Sequence, residues 1–145
     1  MKRFGHLNRD ISRVLARMGH TDSLVIADCG LPVPDGIECI DVSLALGEPG
    51  FARVLDSILS DFQAERAVFA KEALEYNRAV AKCASSLEGA HVHVEFVLHE
   101  KLKELTRYAR AIIRTGEATR FANASLYSGV IFGARIRQGA QGCER

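Results

Sequence analysis

The sequence predicts an α/β fold, a three-layer α/β/α arrangement with a mostly parallel central sheet, on three observations. Short apolar runs at 24–27, 67–70 and 111–113 have the length and unbroken hydrophobicity of strands covered on both faces. Segments with apolar residues at helical spacing stand between such runs. Strands that alternate with helices form layered sheets in which neighbours run parallel.

The first helix carries Ile11, Val14, Leu15 and Met18 on one face, with Asn8 or Asp10 as its cap and Gly19 as its terminator. Leu24 to Ala27 follows as a buried strand. After the Asp35-Gly36 turn, residues 37–42 offer a second strand. Pro49-Gly50 opens a helix with an apolar stripe of Phe51, Val54, Leu55, Ile58 and Leu59. Residues 67–70 read as a strand, although two alanines weaken that pattern. A single helix is expected over 72–87, closing near Gly89. Val92, Val94, Phe96 and Leu98 then alternate with His91, His93, Glu95 and Val97, the pattern of a strand with one wetter face. Leu102, Leu105 and Ala109 mark a helix over 100–110. Strands at 111–113 and 124–131 complete the set, with Gly116 in the turn between them. The chain reads as one domain, 1–145, with a polar tail from about Arg135.

Composition narrows the function. At 145 residues with 48% hydrophobic and 26% charged side chains, the chain can bury a core without disulfides or a structural metal. No apolar run is long enough to cross a membrane, and Met1-Lys2-Arg3-Phe4 lacks the apolar stretch of a signal peptide. A net charge of +1 argues against a general nucleic-acid binder. Arg9, Arg13 and Arg17 form a charged helix face, but Asp10 beside them speaks against a DNA-recognition helix. Cys29, Cys39, Cys83 and Cys143 fall at no metal or redox spacing and read as reduced thiols in a cytoplasmic protein. There is no phosphate-binding loop or dinucleotide fingerprint.

In an open α/β sheet, ligands gather beyond the carboxyl ends of the strands. Asp28 ends the strand from Leu24, His99 ends the strand from Val92, and Asn123 stands in the turn before the last strand. His20 precedes the first strand, so the same layout puts it at the opposite edge. Either the sheet is unusual there, or His20 meets the other groups across a subunit boundary. Each residue also has a plainer role. His20 can be a solvated imidazole after a helix stop, Asp28 a turn cap, and His99 part of a helix start. Asn123 can be a left-handed turn residue and Lys103 a solvated helix charge. His91-x-His93, with Glu95 or His99 as a third ligand, invites a metal-dependent lyase or hydrolase, but a solvent-facing strand accounts for it better.

Met18-Gly19-His20-Thr21-Asp22 and Ala27-Asp28-Cys29-Gly30-Leu31-Pro32 carry the most specific signal. With them go 7–12, 40–42, 47–49, 99–103, 113–117 and Phe121-Ala122-Asn123, all in order over 7–132. Together these segments resemble the D-ribose pyranase family of sugar mutarotases. The resemblance implies that His20 is the catalytic proton donor. It further implies that Asp28, His99, Lys103, Phe121, Ala122 and Asn123 contact a monosaccharide, with no metal or organic cofactor. The related fucose mutarotases share the Met-Gly-His-x-Asp segment, whereas Asp28 to Pro32 has the ribose form, so D-ribose is favoured over fucose. One departure stands out: Phe121 replaces the family's usual tyrosine. The family forms ring-shaped homo-oligomers, typically decamers, with sites completed by a neighbouring subunit. A non-catalytic sugar-binding module is the remaining alternative.

Overall fold

The computed structural model describes residues 1–132, so the expected tail from Arg135 lies outside the described residues. Six strands form one sheet in the order β2-β5-β1-β6-β3-β4. They are β1 (Ser23–Ala27), β2 (Cys39–Asp41), β3 (Ala64–Ala70), β4 (His93–Val97), β5 (Ala111–Arg114) and β6 (Ala124–Ser128). Five run in one direction. β6 alone is reversed, antiparallel to β1 on one side and to β3 on the other.

Alternation along the strands sends side chains to two unequal layers. One face carries Leu24, Ile26, Phe69 and Leu126 and is covered by α1 (Arg9–Arg17), α2 (Phe51–Leu59) and α4 (Arg78–Gly89). Ile11, Val14, Phe51, Leu55, Ile58, Val80 and Leu87 make that contact. The other face is thinner. There Val25, Ala27 and Ile112 pack under Leu31 and Ala109, while Val68 and Ala70 pack under Leu102 of α5 (His99–Leu105). A 3₁₀ turn, Thr106–Tyr108, extends α5 towards β5.

Several element boundaries differ from the sequence expectation. Asn8 is the cap of α1, accepting the Asp10 and Ile11 amides at 3.0 Å each. The helix ends at Met18 in extended conformation rather than at a left-handed Gly19, and the positive φ falls on Thr21. Asp22 accepts the Gly19 amide and an Arg110 guanidinium N–H, and these hold its carboxyl below the usual range. The helix expected over 72–87 is two helices, α3 (Ala73–Tyr76) and α4, because Asn77 breaks the run and caps the second piece. His91 has a positive φ and lies in a turn before β4, outside the strand alternation. β2 and β6 are shorter than expected, and β3 is longer.

Residues 115–117 lie alongside the end of β1. Thr115 donates its amide and its hydroxyl to the Ala27 carbonyl, and Cys29 donates to the Glu117 carbonyl. Gly116 packs there against the turn at 45–48, and its amide donates to the Pro49 carbonyl. A Cβ at Gly116 would strike the backbone carbonyls of Glu48 and Ala45. Backbone cannot swing aside as a side chain can. Gly116→Ala is therefore expected to lower stability by about 1–3 kcal/mol, the usual cost of overpacking. A urea midpoint equal to the parent's would show that the turn yields instead.

Candidate active site

The direction of β6 brings the polar groups together. Because β6 is antiparallel to β1, its first residue enters the sheet where β1 leaves it, with Ala124 opposite Ile26. Asn123, one residue earlier, therefore lies beside the end of β1 and meets Asp28. The pair is reciprocal: the Asp28 amide donates to Asn123 Oδ1 at 2.9 Å, and Asn123 Nδ2 donates to Asp28 Oδ2 at 3.0 Å. The Gly30 amide donates to the other oxygen, Asp28 Oδ1, also at 3.0 Å. Asn123 is wholly buried and Ala122 beside it likewise, whereas Asp28 is partly open to solvent. A half-open carboxylate fixed through both oxygens retains lone pairs for ligand hydroxyls.

His99 and Phe121 stand at the same sheet edge. His99 opens α5, and its backbone N–H donates to both oxygens of Glu72 at 3.0 and 3.2 Å. Its ring meets Phe121 edge-on, with centroids 5.2 Å apart, and Tyr76 lies 6.0 Å from Phe121 on a third element. Phe121 holds a left-handed φ of 61°, which is uncommon for a bulky side chain. His99 Nδ1 is enclosed and has no protein partner. An unpaired buried nitrogen costs roughly 1–3 kcal/mol, which a ligand hydroxyl or an ordered water relieves. Lys103, one turn along α5 from His99, donates to Glu100 at 2.8 Å. It lines a groove of about 400 Å³ with Pro32, Val33, Pro34 and Thr106.

Glu117 anchors the loop that leads into this edge. Burial raises the pKa of its carboxyl. Hydrogen bonds from the Phe51 amide and from the hydroxyl and amide of Thr119 outweigh that effect, and the net shift is downward.

His20 is elsewhere. It precedes β1, at the amino edge of the parallel strands, and its Nε2 lies 2.9 and 3.0 Å from the two carboxylate oxygens of Glu65. A carboxylate only accepts, so Nε2 carries a proton in this arrangement. Five residues of β1 separate His20's edge from that of Asp28, roughly 17 Å at about 3.3 Å per residue. The structure thus joins Asp28 to Asn123 and His99 to Phe121, with Lys103 nearby, and leaves His20 apart from them within one chain.

Among the described residues, no group of three or more His, Cys, Asp or Glu is arranged to hold a metal. His93 faces Glu95 at 3.2 Å, and Glu95 is engaged by Arg66 through two bonds of 2.9 Å. The sequence reading missed Glu65, Glu72, Asn77 and Glu117. Only Asn77 had a local signal, as an asparagine one residue before a helical run.

Comparison with known proteins agrees with this architecture. Residues 1–131 match the model of the RbsD / FucU transport protein family. The D-ribose pyranase of Chromobacterium violaceum is 61% identical over 132 residues, covering 91% of this chain and all of that protein. That of Halalkalibacterium halodurans is 52% identical, with the same coverage. Bacillus subtilis RbsD, solved in complex with D-ribose, superposes with a TM-score of 0.88 at 42% identity, over 91% of this chain and all of that one. A Streptococcus pneumoniae fucose mutarotase solved with L-fucose shares the fold, with a TM-score of 0.72 at 23% identity over 86% of this chain and 94% of that one.

The Asp28–Asn123 lock makes a direct prediction. Asn123→Ala leaves the part-buried Asp28 amide without its partner and is expected to cost about 1–3 kcal/mol. Urea denaturation measures it, and an unchanged midpoint would mean that water replaces the amide fully.

Proposed function

Since the chain belongs to the RbsD / FucU transport protein family, we propose that it is a sugar mutarotase acting on D-ribose, an isomerase that interconverts the pyranose and furanose forms. The observation that carries the reading is the Asp28–Asn123 pair, set beside His99 and Phe121 at the carboxyl edge of a fold shared with a ribose-bound relative. A fixed carboxylate, a neutral amide and an aromatic wall suit a small uncharged polyol.

The reaction needs only proton movement. In ring opening the anomeric hydroxyl loses its proton, the bond between C1 and the ring oxygen breaks, and the ring oxygen gains a proton. After rotation of the open aldehyde, the 4-hydroxyl attacks C1, gives up its proton, and the carbonyl oxygen is protonated. An imidazole donates and accepts near neutrality, so His20 is assigned as the proton donor. Asp28, His99 and Lys103 hold sugar hydroxyls and Phe121 forms the apolar wall, while the Asn123 and Ala122 expected to touch the sugar are wholly buried and serve it from behind, Asn123 by fixing Asp28. No metal or organic cofactor enters the balance.

His20 and Asp28 occupy opposite edges, so the complete site needs two chains. The proposal assigns His20 to the sugar bound by a neighbouring subunit, which fits the ring-shaped homo-oligomer, a decamer, that the family resemblance implies. Leu44 and Leu46, on a turn next to Cys29, are more than 80% exposed, as residues awaiting a partner surface are. A cytoplasmic setting accords with the unpaired thiols Cys29, Cys39 and Cys83.

The test is magnetisation transfer by NMR between the ring forms of D-ribose, with and without protein. His20→Ala is expected to lose a factor of about 10²–10⁴ in acceleration. Folding should survive, because the side chain is about half exposed. Undiminished exchange in that variant would remove His20 from the mechanism. Phe121→Tyr is expected to tighten D-ribose binding by about 1 kcal/mol, the worth of one hydrogen bond. A gain seen only with fucose would reassign the sugar.

A further inference from the structure

We infer that Asn77 is a positioning residue of the sugar site: it pins the peptide between Arg120 and Phe121, and so holds Phe121 against His99. The inference rests on the sugar-site reading above and adds a residue that touches neither sugar nor reacting atoms.

Asn77 is buried, with 6% of its surface exposed, at the break between α3 and α4. Its amide is committed at both ends. The oxygen accepts the Val80 amide at 3.3 Å and caps α4. The nitrogen donates to the Arg120 carbonyl at 2.7 Å and to Thr119 Oγ1 at 2.8 Å. Capping uses only the oxygen, which serine or aspartate supplies equally well. The two donated bonds do nothing for the helix and act wholly on the loop.

The loop needs them. A left-handed φ at a bulky residue is unfavourable and persists only where the surroundings enforce it. The peptide unit is planar and turns as one piece. The simplest release for Phe121 is a flip of the 120–121 peptide, which returns φ to negative values. That flip would swing the Arg120 carbonyl away from Asn77 and break its shortest bond. Residues 119–121 then settle into a relaxed path, which withdraws the support that keeps the Phe121 ring 5.2 Å from His99 and 6.0 Å from Tyr76. Glu72, at the other end of the same short segment, fixes His99 through its backbone N–H. Both aromatic walls of the site therefore hang from residues 72–77.

Two variants separate the loop role from the cap. Asn77→Ser and Asn77→Asp each keep an acceptor for Val80 and lose the donors. D-Ribose exchange is followed over a range of sugar concentrations, with thermal unfolding measured alongside. Both variants are expected to raise KM about tenfold while kcat stays within about twofold, because His20 approaches from the other edge. A second readout uses Phe121→Gly, since glycine takes a positive φ freely. In that background Asn77→Ser should change KM less than twofold. A parent-like KM in either folded variant overturns the inference and leaves Asn77 as a helix cap, with the mutarotase reading intact. So does a tenfold effect that persists with glycine at 121. A parent protein that neither accelerates exchange nor binds D-ribose overturns the reading and the inference with it.

Discussion

β6 lies between β1 and β3 and runs against both. Its reversal means that the connection from β5 does not return to the amino edge before the last strand begins. Residues 115–123 stay at the carboxyl edge and lie across the ends of β1 and β3. Thr115 and Glu117 are stitched to Ala27 and Cys29, and Asn77 holds residues 119 and 120. The same reversal delivers Asn123 to Asp28. A parallel β6 in this place would start at the opposite edge and leave Asp28 without its partner.

The two edges divide the chemistry. The carboxyl edge is rigid and partly buried: Asn123 and Thr115 have no exposed surface, and Glu117 is held by the start of α2. Such a place suits binding, where hydroxyl partners must be fixed before the ligand arrives. The amino edge at His20 is open, and its pairing with Glu65 joins two side chains that are each about half exposed or nearly so. Exposed pairs of this kind add little to stability, so His20 is free to turn towards another partner. On the reading proposed above, His20 and the carboxyl edge serve one sugar only when chains assemble edge to edge.

Much of the fold was legible because it rests on apolar periodicity. Leu24 to Ala27 read as a doubly covered strand, and all four residues are buried. The stripe from Phe51 through Ile58 read as one helix face, and it packs on the sheet. Asp28, His99 and Asn123 were legible as strand-end residues once strands alternated with helices. What stayed hidden depends on contacts between distant segments. The reversal of β6 has no local signature, since a short apolar strand reads the same in either direction. Asn77 breaks an expected helix and caps its second half, and its amide nitrogen has partners 42 and 43 residues away that no local pattern announces. Gly19 looked like the helix terminator, yet Asp22, Arg110 and Ser128 fix that turn, and Thr21 takes the left-handed conformation.

The left-handed Phe121 connects this architecture to the reaction. Opening a sugar ring is a modest chemical task that already proceeds in water, so proton transfer alone supplies a useful acceleration. The greater demand is orientation, because the donor must face the ring oxygen while the hydroxyls are held. On the proposed reading the chain meets that demand by holding one left-handed residue, Phe121, in a loop fixed by hydrogen bonds of Asn77, Glu117 and Asn123. Strain is tolerable here because the thicker helical layer on the opposite face carries most of the stability, through the cluster around Leu24, Phe51, Ile58 and Phe69. The thin layer is thereby left to shape the groove between α5, the 3₁₀ turn that extends it and the loop after β1. Residues 72–77 link the thick layer to the carboxyl edge: Ala73 belongs to that layer's core, while Glu72 holds the His99 backbone and Asn77 the Arg120 carbonyl.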